Sequence, residues 1–270
     1  MIAIDVRALC TREPSGVPHA LFEILDAWPE SAHKTVLFSS GAVPPDLPVS
    51  LARHSNVRRI HVRAPNKVIN ALIASGACSL ERLYRVTPHV VWFPNTGFLP
   101  RTKARTVVTV HDLAFHFFPD TYTLFQHARY RITRARSSMS HADAIIAISQ
   151  STARDVRALG AQAPIHIIPH GINIAQFTSV VRPEDTRTLE QLGVQKPYVL
   201  FLATCEPRKN LPSLVEAFDR IAHAHPRLLL VIAGGHGWKR RVLDKTIASA
   251  AYRARIRQIG FVKDDVRATL

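Results

Sequence analysis

The stretch Tyr198-Val199-Leu200-Phe201-Leu202-Ala203 runs directly into Thr204-Cys205-Glu206-Pro207-Arg208-Lys209-Asn210, and Leu211 follows. The first six residues are an apolar run, as a strand buried on both faces requires. Asn210 suits a helix N-cap, and a helical pattern spans Leu211–His223. The segment therefore reads as strand, turn and helix. Arg208 and Lys209 stand in the turn beside the free N–H groups of the helix start, an arrangement suited to a mono- or diphosphate.

The same alternation recurs along the chain. Buried strands are expected at Ile2–Val6, Thr35–Phe38, Val57–Val62, Val90–Phe93, Thr106–Val110, Ala144–Ile148, Ile165–Ile168, Val199–Ala203, Leu228–Ala233 and Ile256–Gly260. Helical spacing is expected at Val17–Trp28, Lys67–Tyr84, Tyr122–His141, Gln150–Leu159, Leu211–His223 and Lys239–Tyr252. Uninterrupted apolar strands between amphipathic helices predict an α/β protein of doubly wound parallel sheets. After Ile165–Ile168 come Pro169-His170-Gly171 and then an aperiodic polar stretch, Gln176 to Asp185. The reading is two Rossmann-like domains, 1–173 and 174–270, the second incomplete.

The 270 residues are 47% hydrophobic and 20% charged, enough for a sizeable core. Cys10, Cys78 and Cys205 share no disulfide-framework or metal spacing, which fits a reducing compartment. The net charge is +15, and 27 of the 35 cations are arginine. Planar guanidinium forks suit phosphate or an anionic membrane surface. The cations are spread without a polybasic block, so no nucleic-acid partner is expected. No export signal or spanning segment is found, and the longest uncharged apolar run, Val68 to Leu80, is too short to span. The expected location is cytoplasmic, with peripheral contact to the inner membrane face at most.

In open α/β sheets ligands bind beyond the carboxyl ends of strands. Besides the turn after Ala203, two segments have that place. One is Glu13-Pro14-Ser15-Gly16-Val17, where Gly16 permits close backbone approach at a helix start. The other is His111-Asp112, directly after the strand ending at Val110, where His111 can reach a sugar hydroxyl or a leaving group. A Walker A loop, a G-x-G-x-x-G fingerprint, a G-x-S-x-G elbow and a D-x-D pair are all absent from the sequence. The histidines lack partners at metal spacing, so no metal is expected.

Six stretches together resemble a retaining glycosyltransferase of family 4, mannosyltransferase-like, with the GT-B architecture. They are Ile4-Asp5-Val6-Arg7-Ala8-Leu9 with Ser15-Gly16-Val17, Val110-His111-Asp112-Leu113, Ala144–Ser149 with Thr152, Ile168–Asn173, Glu206–Leu211, and Gly235-His236-Gly237-Trp238. They run in the family's order over nearly the whole chain. The resemblance implies sugar transfer from a GDP- or UDP-linked donor, as substrate and without cofactor or metal, to a glycan or lipid-linked acceptor. It places Lys209, with Arg208 and Asn210 beside it, on the donor diphosphate, His111 near the reacting carbon of the sugar, and Gly16 under the diphosphate on the acceptor side. In the reaction that the resemblance implies, the acceptor attacks on the face the diphosphate leaves, and the leaving phosphate takes its proton.

Three positions depart from the family pattern. Pro18 stands where a second glycine is common, and Ala203 ends a strand that often ends in glycine. The paired glutamates E-x7-E do not occur, and no Glu follows Glu216. With the last three strands in the order 3-2-1, the strand at Val199–Ala203 is left as a sheet edge. The C-terminal part that carries the paired glutamates is therefore expected to be missing and the isolated chain weak or inactive. An inert or partner-completed remnant and a basic binding module are the competing expectations.

Overall fold

The computed structural model describes residues 1–11, 16–30, 33–133, 135–174, 177, 180 and 182–270, without the side chains of Ala135, Asp264 and Asp265. Glu13, Pro14 and Ser15, part of the first expected anion turn, lie outside the described residues, as does most of 175–181. The chain forms two compact units, Met1–Phe117 with Phe125–Ile172, and Phe118–Leu124 with Asn173–Leu270.

In chain order the elements of the first are β1 (Ile2–Asp5), α1 (Gly16–Asp26), β2 (Thr35–Ser40), β3 (Val57–Val62), α2 (Asn66–Ser75), α3 (Leu80–Tyr84) and β4 (Val90–Phe93). They continue with β5 (Arg105–Val110), α4 (Ala114–Phe117), α5 (Leu124–Thr133), α6 (Ala135–Ser140), β6 (Ala144–Ala147), α7 (Gln150–Ala158) and β7 (Ile165–Ile167). The seven strands form one parallel sheet in the order β3-β2-β1-β4-β5-β6-β7. Side chains alternate across it as the pleat demands. Ala3 pairs in register with Val36 and Val91, and these point to the face where Leu80 and Tyr84 pack. Ile4 and Leu37, one residue on, point to the opposite face under Leu21 and Leu25 of α1.

The second unit holds α8 (Pro183–Gln191), β8 (Tyr198–Leu202), α9 (Leu211–Ala222), β9 (Leu229–Ala233), α10 (Arg241–Ser249), β10 (Ile256–Gly260) and α11 (Asp264–Thr269). Its parallel sheet has the order β10-β9-β8, so β8 is the edge strand, as the sequence implied. α9 buries Leu211, Val215, Phe218 and Ala222 at i, i+4, i+7 and i+11. That stripe covers Leu230 and Ile232 of β9. Burying each large apolar side chain contributes about 1.5–3 kcal/mol.

The helices depart from expectation where a single residue breaks the period. The helix expected over Lys67–Tyr84 is two, because Gly76 takes a left-handed φ of +72° and Ser79 starts α3 by accepting the Arg82 N–H. The one expected over Tyr122–His141 begins at Leu124, after a 3-10 turn at Pro119–Thr121, and a second helix starts at Ala135. α10 begins at Arg241 because Lys239 has φ +53°. Part of the stretch read as aperiodic, Gln176 to Asp185, is the start of α8. There Asp185 reaches back to the Arg182 backbone N–H at 2.9 Å.

Candidate functional site

β5 ends at Val110 and so delivers His111 to the carboxyl edge of the first sheet. Its Nε2 lies 2.7 Å from the carbonyl of Pro94, which can only accept, so Nε2 carries the proton. Its Nδ1 lies 3.0 Å from Nε2 of His170, just beyond β7. His111 Nδ1 must therefore accept, and His170 Nε2 must donate. The rings are stacked with centroids 5.0 Å apart. Burial pushes the His111 imidazole below its ordinary pKa, and burial followed by the nearby His111 does the same for His170. Both are thus neutral near pH 7. The His111 backbone is fixed by Thr152, whose hydroxyl donates to its carbonyl at 3.1 Å.

Unfolded imidazoles titrate near 6.5, above these folded values. The sign of the linkage follows: the stability this pair adds is complete above pH 6.5 and declines as pH falls below it, because the unfolded chain takes up protons first. Denaturant midpoints measured from pH 8 to 5 should fall more steeply for the native chain than for His111→Gln/His170→Gln. Equal slopes would contradict the pairing.

The first expected glycine, Gly16, opens α1, and an added Cβ there would meet nothing within 4 Å. The next residue, Val17, lines a cavity of about 410 Å³ shared with His111, His170, Trp28 and Trp92. Gly16 and the histidine pair are therefore neighbours in the first unit. A second, polar cavity of about 210 Å³ lies at the same sheet edge. It is lined by Asn66, Asn70, Asn95, Arg129 and the Asp5–Arg7 ion pair. Arg7 also donates to the Phe98 carbonyl at 2.6 Å, so its guanidinium is spent on structure.

In the second unit, Pro207–Lys209 form a 3-10 turn between β8 and α9. Glu206 is only 7% exposed and forms an ion pair with Arg208. Lys209 is exposed and enters no ion pair among the described residues. Asn210 occupies the N-cap position of α9, but in a left-handed conformation (φ 50°, ψ 42°) without a side-chain cap. Its Oδ1 accepts instead from the Ser213 hydroxyl at 3.0 Å. Two of the three glycines after β9, Gly234 and Gly237, are required by this turn. A Cβ on Gly234 would stand 1.8 Å from the Ala203 carbonyl oxygen, and one on Gly237 2.1 Å from that of Cys205. Trp238 is committed to packing: its Nε1 donates to the Thr121 carbonyl at 2.6 Å and its ring stacks on Tyr122.

The structure thus gathers Gly16 with His111 in one unit, and Arg208, Lys209 and Asn210 in the other. The sequence reading missed His170 as the partner of His111, and Glu206 as the anchor of Arg208. His170 follows a strand end, as His111 does, but 59 residues separate them. Among the described residues no group of three His, Cys, Asp or Glu side chains is placed to hold a metal. No described helix is long and apolar enough to cross a membrane.

Comparison with known proteins bears on these arrangements. O-antigen chain mannosyltransferase B of Escherichia coli is 25% identical over 172 residues. The match takes in 62% of this chain and 45% of that protein, so the chain spans less than half the length of this curated relative. Among solved structures, sucrose-phosphate synthase of Thermosynechococcus elongatus superposes with a TM-score of 0.69 at 18% identity. HepE of Anabaena, solved in complex with UDP and glucose, gives 0.66 at 15%. Both superpositions cover 99% of this chain and 72% of the other. They are likenesses of fold: GT-B, two Rossmann-like domains with the second the smaller. The family model for glycosyl transferases group 1 matches residues 184–270. The model for Glycosyltransferase Family 4 matches residues 14–176, more than half of the sequence, and the chain belongs to that family.

Proposed function

We propose that the protein serves in the transfer of mannose or another hexose from a GDP- or UDP-linked donor to a surface-polysaccharide or lipid-linked acceptor. The observation that carries this reading is the turn after β8. There an exposed lysine without an ion-pair partner among the described residues stands at the start of a twelve-residue helix, on a backbone held by the Glu206–Arg208 pair. Negative charge grows on the departing diphosphate as the glycosidic bond breaks. Lys209 and the N-terminal dipole of α9 oppose that charge without a metal ion. Arg208 holds the turn through Glu206, and Asn210 sets the bend into the helix.

In the first unit, His111 is assigned to a hydroxyl of the donor sugar. Its Nδ1 can accept such a hydrogen bond when the His170 N–H is displaced, while the Pro94 carbonyl keeps the tautomer. Gly16 leaves open space at the start of α1 for close approach of a ligand. The polar cavity beside Asn66 and Asn70 is assigned to acceptor hydroxyls. The acceptor oxygen attacks the anomeric carbon from the face the diphosphate leaves, and a diphosphate oxygen takes its proton, so configuration is retained. The protein's part is positioning and charge stabilisation. Mannose as donor sugar is supported by the O-antigen mannosyltransferase among the relatives.

Calorimetric titration with GDP-mannose and UDP-hexoses in excess EDTA tests this reading. Saturable binding of one nucleotide family, unchanged by EDTA, is expected. Binding that EDTA abolishes and magnesium restores would overturn the metal-free site.

A further inference from the structure

The polar cavity of the first unit holds one positive charge more than its own residues cancel. Asp5 is the one carboxylate that lines it among the described residues, and its oxygens are taken. They accept the Arg7 backbone N–H at 3.0 Å, the Arg7 Nε at 2.9 and 3.1 Å, and the Arg7 Nη2. The pair therefore adds no net charge and offers little to a ligand. Arg129 of α5 lines the same cavity, is exposed, and enters no ion pair or side-chain hydrogen bond among the described residues. No Asp or Glu occurs from residue 47 to 80 or from 121 to 142, so neither α2 nor α5 can supply it with a partner.

The carboxamides of Asn66, Asn70 and Asn95 line the cavity as well, and they too make no side-chain hydrogen bond among the described residues. Asn66 is the first residue of α2, so the positive end of that ten-residue helix borders the cavity. What is left over is a surplus of donors, because a guanidinium donates only and the one carboxylate is engaged. A sugar hydroxyl brings a proton with each oxygen and needs an acceptor for it. An oxyanion brings none. A neutral sugar would leave the Arg129 guanidinium unmatched, whereas a phosphate or a carboxylate can take two of its N–H groups side by side. The three carboxamides, which both donate and accept, suit the hydroxyls of the ring that carries the anion.

We infer that the polar cavity takes an anionic sugar, a hexose phosphate or a uronic acid, with Arg129 on the oxyanion and Asn70 and Asn95 on the ring hydroxyls. That this sugar belongs to the acceptor rests on the transfer reading above. Its binding in the cavity does not.

Ligand-observed NMR titration of the chain with glucose 6-phosphate, glucuronate, glucose, inorganic phosphate and acetate tests the inference. One of the two sugar acids should bind about tenfold or more tighter than glucose, as a charge-assisted contact implies, and the better of the two identifies the oxyanion. Arg129→Gln should bring that acid close to glucose in affinity. Arg131→Gln, an equal charge change on the same helix, and Lys209→Ala should bind the acid as the parent does. Circular dichroism confirms that each variant is folded. Equal binding of the acids and glucose, or no binding of either, would overturn the inference. The same loss in Arg131→Gln would overturn it in favour of diffuse charge, and in Lys209→Ala in favour of the turn after β8. Inorganic phosphate or acetate binding as tightly as the better acid would leave the sugar no part and overturn it too. GDP and UDP titrated in parallel keep the two readings apart. A preference for the acid that depends on Arg129, without nucleotide binding by the parent, would overturn the transfer reading and uphold this one.

Discussion

Gly237→Ala is expected to destabilise the second unit by about 3 kcal/mol or more, or to displace the turn that carries Lys209. The cause is purely steric. A Cβ at this position would stand 2.1 Å from the Cys205 carbonyl oxygen and 3.1 Å from the Cα of Glu206. Both are backbone atoms, so no rotamer change relieves the contact. Cys205 in turn hydrogen-bonds from its N–H to the Gly235 carbonyl at 3.1 Å, which ties the two loops together. Gly235→Ala, whose added Cβ would meet nothing within 4 Å, is the matched control. Thermal unfolding should separate the two variants by several degrees. Equal stability of both would contradict the packing of these loops.

Lys209→Ala should weaken binding of a nucleoside diphosphate by roughly ten- to a hundredfold, as the loss of a charge-assisted contact worth about 1.5–3 kcal/mol implies. Fold stability should hardly change, because Lys209 is exposed and without an ion-pair partner among the described residues. Arg208→Ala should behave differently. It leaves Glu206, 7% exposed, as a buried carboxylate without its cation, and so lowers stability as well as affinity. The two substitutions one residue apart thus separate a ligand contact from a positioning contact. Equal stability losses in both would remove that distinction.

The strands were legible because their signal is local. Val90–Phe93 folds at the bounds that its apolar run implies, and Val57–Val62 and Ile256–Gly260 fold at the expected bounds although Arg58, Arg59, Arg257 and Gln258 interrupt them. The order 3-2-1 of the last three strands is the doubly wound pattern applied to them, and the second sheet carries it as β10-β9-β8. Helix ends were harder, because one backbone angle overrides a period. Gly76 divides α2 from α3, and the positive φ of Lys239 delays α10. α8 escaped notice because its start shows no Ser, Thr or Asn cap, and the acid that reaches back, Asp185, lies inside the helix.

The same division holds at the candidate site. His111 and Lys209 stand out because each follows the end of a strand, a position that chain order alone provides. What engages their neighbours is tertiary and invisible along the chain. His170 meets His111 across 59 residues, and Gly237 is needed only because the Cys205 backbone passes against it. The conformation of Asn210 was likewise hidden, since a capping residue and a left-handed residue are drawn from the same few types.

The central claim is that the turn after β8 binds the diphosphate of a nucleotide-sugar. Its most direct test is thermal unfolding of the chain and of Lys209→Ala with GDP, UDP and ADP and their hexose conjugates. Ligand at about a hundred times its dissociation constant adds ~2.7 kcal/mol, a shift of several degrees for a protein of this size. The account predicts that shift in the native chain with GDP or UDP and its conjugate, and a much smaller one in Lys209→Ala at the same concentration. No shift with any nucleotide, or the same shift in both proteins, would contradict it.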